Sequence, residues 1–174
     1  MFFQRPHLNR NKRKFQKLRG LTPDYPKPEN TTDLLFYIQR NHNWNTVIYK
    51  LNRTATGEIN TEIPMHIQWI MYNKAGEIEE LTFLQNKLAY GCEYNMINNE
   101  SFEFHFVSFP EMQFFLAKRD TKFSTFYRRD GKLLKLSNVY VHADEFGLFP
   151  DVKFIEFYGI DVKTGKNVQQ TLRL

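Results

Sequence analysis

The chain has one cysteine, Cys92, among 174 residues, only eight glycines, and no apolar run of 18 residues. One cysteine excludes an internal disulfide and removes the strongest sequence argument for export. Without a long apolar run no membrane-spanning helix is expected. The basic N-terminal residues are not followed by the apolar stretch of a secretory signal, and a cytoplasmic location is expected. Each glycine can be assigned to a turn or a terminus, which leaves none for a phosphate-cradling loop. The spacings GxSxG, HxH and HExxH are absent. So is any internal repeat of 20 to 50 residues.

Acidic residues are missing from one region only. Residues 1 to 20 hold seven basic residues (Arg5, Arg10, Lys12, Arg13, Lys14, Lys17, Arg19) and no acid, which leaves 17 basic against 19 acidic residues in the rest of the chain. The overall charge of +5 is therefore a property of an arm, and the body is close to neutral. Pro23, Pro26 and Pro28 separate that arm from the first apolar segment. The expected organisation is a basic, Pro-rich, unstructured tail over 1–30 and a single β-rich domain over 31–174. Nucleic acid is expected as a partner only through the tail, where phosphate contact would be salt-dependent.

What the sequence does have is aromatic residues: 17 Phe, 9 Tyr and 2 Trp, a composition that favours strands. Two-residue alternation is clearest at Phe102, Phe104 and Phe106, interrupted by Glu103 and His105, and this row reads as core. Similar runs occur at 34–39, 46–51, 66–72, 94–97, 113–118, 123–128, 132–141, 153–158 and 168–172. Arg40 to Asn45 reads as a six-residue hairpin loop, Asp130-Gly131 as a tight turn, Ser137-Asn138 as a bend and Phe146–Pro150 as an irregular link. One helix is expected, over Leu81–Gly91. Thr82 and Gln85 have capping-box spacing, Gly91 suits a left-handed terminus, and Leu84 and Leu88 with Phe83 and Tyr90 form an apolar stripe expected to dock on the sheet. The fold class is all-β: an antiparallel barrel-like sheet, or a two-sheet sandwich, of about ten short strands with one short helix after the third.

The segments LLFYIQRNHNWNTVIYKLN, WIMY and ELTFLQNKLAYG resemble a family of small β-rich proteins known as domain of unknown function 4833, over residues from about Leu34 to Leu172. The resemblance implies one compact domain and brings no catalytic residues with it. The basic tail lies outside the resemblance.

No residue pattern demands catalysis, a cofactor or a metal. His66, His105 and His142, with Glu103, are spread too far along the chain for ligand spacing. Cys92 follows a helix C-terminus, where the dipole disfavours a thiolate. Glu79 and Glu80 are adjacent and point apart on a strand. Lys87 lies on the shoulder of the helical stripe, where its stem can cover Phe83. If the helix closes a barrel mouth, Lys87 and Tyr90 face the opening and Arg40 is the second cation, so these three are the candidate ligand-binding residues. The expected function is a non-enzymatic β module that holds a small amphipathic or anionic molecule. A structural or protein-interaction role is the alternative, and a hydrolase a distant third.

Overall fold

The computed structural model describes residues 23–144 and 150–174. Residues 1–22 of the tail expected over 1–30, and most of the irregular link at Phe146–Pro150, lie outside the described residues. The elements, in chain order, are β1 (Leu34–Arg40), β2 (Asn43–Leu51), β3 (Met65–Met71), β4 (Glu77–Glu80), a helix α1 (Phe83–Gln85) that continues as a π-helical turn (Asn86–Tyr90), β5 (Cys92–Asn98), β6 (Ser101–Phe106), β7 (Phe109–Arg119), β8 (Lys122–Arg129), β9 (Lys132–Asp144), β10 (Asp151–Asp161) and β11 (Asn167–Arg173). Nine strands form one curled sheet, a half-barrel, in the order β4-β3-β2-β1-β9-β8-β7-β6-β5, and the β10–β11 hairpin branches from β9.

The all-β, barrel-like character is as the alternation requires, with two refinements. Among the described residues there are eleven strands, the additional one being β4, so the helix follows the fourth strand. Its sequence, EIEE, carries three charges in four residues and no alternation to detect. The sheet is also mixed, because β1 and β9 pair in parallel from Tyr37 opposite Asn138 to Arg40 opposite Val141. Where every link reverses the chain, odd-numbered strands share a direction, so a meander whose ninth strand returns to its first must close with a parallel pair. No crossover helix is needed.

β9 is the spine of the molecule. Residues Leu134 to Asp144 pair along one edge with β10. Its other edge is divided between β8, up to Lys135, and β1, from Asn138 onward. Ser137-Asn138, where a bend is expected, lies at this handover, and the pairing of β9 with β10 shifts register there, between Tyr158 and Gly159. A Cβ on Gly159 would stand 2.3 Å from the Lys135 carbonyl oxygen, so only glycine lets the strands approach there. At the far end, the Asn41 side chain donates to the Ala143 carbonyl (2.9 Å) and accepts from its N–H (3.0 Å), fastening the parallel seam. Gln39 Nε2 donates to the Pro26 carbonyl (2.8 Å), which ties the segment preceding β1 to the sheet.

Because β8 and β1 leave the same edge of β9, the limbs β1–β4 and β8–β5 fold over one another and enclose the aromatic rows. Phe36 and Tyr49 stack at 4.3 Å, and they meet Phe104 (6.4 Å from Phe36) and Phe106 (5.7 Å from Tyr49) of the other limb. Phe114, Tyr127 and Phe157 extend the cluster towards β10. Phe102, Phe104 and Phe106 are all buried. Asp130 and Gly131 both have positive φ, as their turn requires. The loop after β1 is tighter than the sequence suggests, since Arg40 pairs directly with Asn43 and only Asn41 and His42 turn the chain.

Candidate functional site

The helix forms where expected and docks by a different face. Thr82 caps it reciprocally: its Oγ1 accepts from the Gln85 N–H (3.2 Å) while Gln85 Oε1 accepts from the Thr82 N–H (2.9 Å). The same Gln85 oxygen accepts from Trp69 Nε1 of β3 (3.3 Å), which turns the Gln85 side of the helix towards the sheet. Leu84, one residue earlier and about 100° around the axis, is turned away with Leu88 one turn on. Three of the four residues of the expected buried stripe therefore face solvent, Phe83 75%, Leu84 64% and Leu88 62% exposed, and only Tyr90 packs on the core. Gly91 is not left-handed either. It is extended, and its N–H donates to the Asn86 carbonyl (3.1 Å), closing a π turn against which a Cβ would collide.

Of the three candidate residues, two come together. Tyr90 packs edge-on against Trp69 (5.2 Å), and the Arg40 guanidinium lies over both rings, 5.2 Å from Trp69 and 5.9 Å from Tyr90. Tyr49 Oη donates to the Tyr90 carbonyl (2.8 Å), holding this end of the helix on the core. Burial pushes the Tyr90 phenol above its ordinary range, and Arg40 partly opposes that shift. Arg40 Nε is buried and makes no hydrogen bond. Lys87 stands with its ammonium 5.9 Å from the Phe83 ring, one turn back on its own helix.

The histidines are held apart. His66 pairs with Glu80 (3.0 Å), His105 with Glu93 (3.1 Å), and His142 stacks on Phe154 at 4.6 Å. Among the described residues no group of three or more His, Cys, Asp or Glu side chains could hold a metal ion. Burial pushes the Cys92 thiol far above the usual range, leaving it protonated.

A second place has the shape of a binding site, and the alternation pattern did not single it out. β7 and β8 pair up to Phe114 opposite Tyr127 and stop there. Gln113 and Arg128 would be next in register, then Met112 and Arg129, but β8 continues with β9 while β7 diverges. The split opens a cleft of about 580 Å³ between the start of β7 and β11. Phe109, Met112, Phe157 and Leu172 give it apolar walls, and Arg128, Arg129, Gln113, Gln170 and Glu111 supply the polar groups. Gln170 Oε1 is buried there without a hydrogen-bond partner. Arg128 is exposed and Arg129 half-buried, and Arg129 lies close enough to Tyr127 to counter the burial that raises its phenol. The sequence signal was the Arg128-Arg129 pair directly before the Asp130-Gly131 turn, facing a β7 run longer than its neighbour can cover. Such an arrangement can hold a negative charge above an apolar body.

Residues 36–171 match a family described as Domain of unknown function (DUF4833). No curated protein and no solved structure matches the chain. No helix among the described residues is long and apolar enough to cross a membrane.

Proposed function

The chain belongs to the DUF4833 family, whose description assigns no activity, and from the geometry we propose a non-enzymatic β module that holds a small amphipathic anion in the cleft between β7, β8 and β11. The observation that carries this reading is the splitting of the sheet at Gln113 and Arg128, which leaves an open space of ligand size with cations at its rim and aromatic and aliphatic side chains beneath. The polar lining consists of cations, amides and one carboxylate, which suits fixing a charged head group. Gln170 Oε1 has an unused acceptor position that a ligand hydroxyl or amide would fill.

Thermal-shift titration tests the reading with decanoate and decyl phosphate, and with decanol as the uncharged control. Both anions should raise the melting temperature in proportion to the logarithm of their concentration above saturation, and decanol should do so less. Arg128→Glu should abolish the response while leaving the unliganded melting temperature within about 2 to 4 °C, because Arg128 is an exposed strand residue. No shift with either anion, or a response that Arg128→Glu leaves intact, overturns the assignment.

A second reading rests on Arg40. Its buried, unbonded Nε beside Tyr90 supports anion binding at the helix end, with Lys87 the flanking cation. Arg40→Met, and not Arg128→Glu, would then remove the thermal response, and Lys87→Met would weaken it.

A further inference from the structure

Two polar side chains stand where the alternation of their strands calls for apolar ones, and both adjoin Phe157 of the cleft wall. On β11, Val168 and Leu172 turn to the core, and Gln170 occupies the same face between them. It lies directly opposite Phe157 in the β10–β11 ladder, and its Oε1 is buried with no hydrogen-bond partner. On β8, Tyr127 is fully buried in the aromatic cluster, 6.1 Å from Phe114 and 5.7 Å from Phe157. Its Oη is likewise buried and unpartnered. Phenylalanine would fill the same space without the cost of an unmet hydroxyl, and phenylalanine is what the chain uses at both adjoining positions. Phe157, on which Tyr127 packs, and Arg129, whose charge acts on the phenol, both line the cleft. Burial keeps that phenol protonated far above neutral pH, so it stays a donor.

We propose, resting on the reading of this cleft as an anion site, that its ligand carries a hydroxyl at the end remote from its charge, donating to Gln170 Oε1 and accepting from Tyr127 Oη beside Phe157. The chemical class is a hydroxylated aliphatic acid. Its carboxylate meets Arg128 at the rim, its chain lies on the apolar walls of Phe109, Met112 and Leu172, and its hydroxyl reaches the two unmet groups. A hydroxyl both donates and accepts on a single atom, whereas an ether or carbonyl oxygen can only accept and a methyl end does neither. A plain aliphatic tail would seal Gln170 Oε1 and Tyr127 Oη away from any partner, so the cleft selects against it. Tyr127 and Gln170 are on this view specificity-determining residues, held by the same ring and drawn from different strands.

Calorimetric titration of the full-length chain tests this with ω-hydroxyhexanoate, ω-hydroxyoctanoate and ω-hydroxydecanoate, each beside its unsubstituted parent acid. At the chain length that spans the cleft, the hydroxy acid should bind about 5- to 30-fold more tightly than its parent, the worth of one to two net hydrogen bonds. Tyr127→Phe removes one oxygen and keeps the ring. The unliganded melting temperature should therefore hold or rise, while the advantage of the hydroxy acid shrinks by about 5-fold. Gln170→Met keeps the length of the side chain and removes the acceptor, so it should erase the same advantage, and it serves as the measurement if Tyr127→Phe fails to fold. Both variants should bind the parent acids within about 2-fold of the native chain. Binding of neither series overturns the anion site and this inference with it. Parent acids that bind as tightly as their hydroxy acids at every length overturn this inference alone, as does a hydroxyl preference that both variants retain. A Tyr127→Phe chain that melts well below the native one also overturns it, since the hydroxyl would then serve the fold.

Discussion

The aromatic wall and the helix were equally well patterned in sequence, and they met different fates. In the wall, alternation translated directly into burial: Phe102, Phe104 and Phe106 face inward and Glu103 and His105 do not. In the helix, most of an apolar stripe of the right spacing ended up in water. A strand in a sheet has two faces, and its neighbours on both sides fix which is which, so one residue in the wrong phase would invert the whole row. A single short helix has no such neighbours. Its rotation about its axis is set by whatever few contacts anchor it, and here, beside the Tyr90 ring on Trp69, those are polar: the Gln85 oxygen on Trp69 and on the Thr82 N–H, and the Tyr90 carbonyl on Tyr49.

That contrast can be broken by substitution, and the largest effect belongs to the wall. Phe104→Ala should cost about 3 to 5 kcal/mol in urea titration, because the buried ring sits between Phe36, Phe106 and Phe114 and its removal leaves a cavity among them. A smaller cost would mean that the two limbs do not close over a shared core. Gln85→Ala comes next. It removes the shared acceptor of two bonds and should destabilise by roughly 1 to 2 kcal/mol, with a change in Trp69 fluorescence that reports the loss of its indole partner. If Gln85→Ala proves silent in both measurements, the helix is held by something other than its cap.

A polar contact at the lip of the wall gives a finer comparison. Asp33 is held below the usual carboxylate range by a two-pronged hydrogen bond from Arg53, at 2.8 and 2.9 Å. A carboxyl with a depressed folded-state pKa contributes stability that is present above its unfolded value of 3.8 and is lost as pH falls through the lower folded value. Both partners are substantially exposed, so the effect should be no more than about 1 kcal/mol. Asp33→Asn should therefore lower stability at pH 7 and flatten the acid limb of the stability curve below about pH 4, without altering the limb above it. An acid limb identical to the native one would show that the pair contributes nothing. Smallest of all should be Leu84→Ala and Leu88→Ala, each within about 0.5 kcal/mol of the native chain, since neither side chain is buried in the folded state. A loss of several kcal/mol from either would mean that the stripe is covered in solution.

Legibility followed the same division. Ten strands, the helix cap and the Asp130-Gly131 turn could be read from local pattern because each is decided within a few residues. β4 was hidden by the glutamates that protect its edge, for charge on an edge strand erases the alternation that would reveal it. The parallel contact of β1 with β9 depends on where a long meander returns, which no window of sequence contains. At the helix end, Arg40 and Tyr90 were legible as a cation and a phenol at element boundaries, while the Trp69 ring that joins them was not, since it reaches them from another strand. The cleft was least legible, because it arises from two strands parting company and not from the character of either.

The parallel seam also sets a timetable. Asn41 and Ala143, which fasten it, are 102 residues apart in the chain. At a synthesis rate of about 5 to 20 residues per second, the β1 edge emerges roughly 5 to 20 seconds before its β9 partner exists. For that interval the β1–β2 hairpin can form and the seam cannot, so closure of the half-barrel is the late, long-loop event of folding. During this window the chain's most vulnerable surface is the edge that the finished molecule hides at its centre.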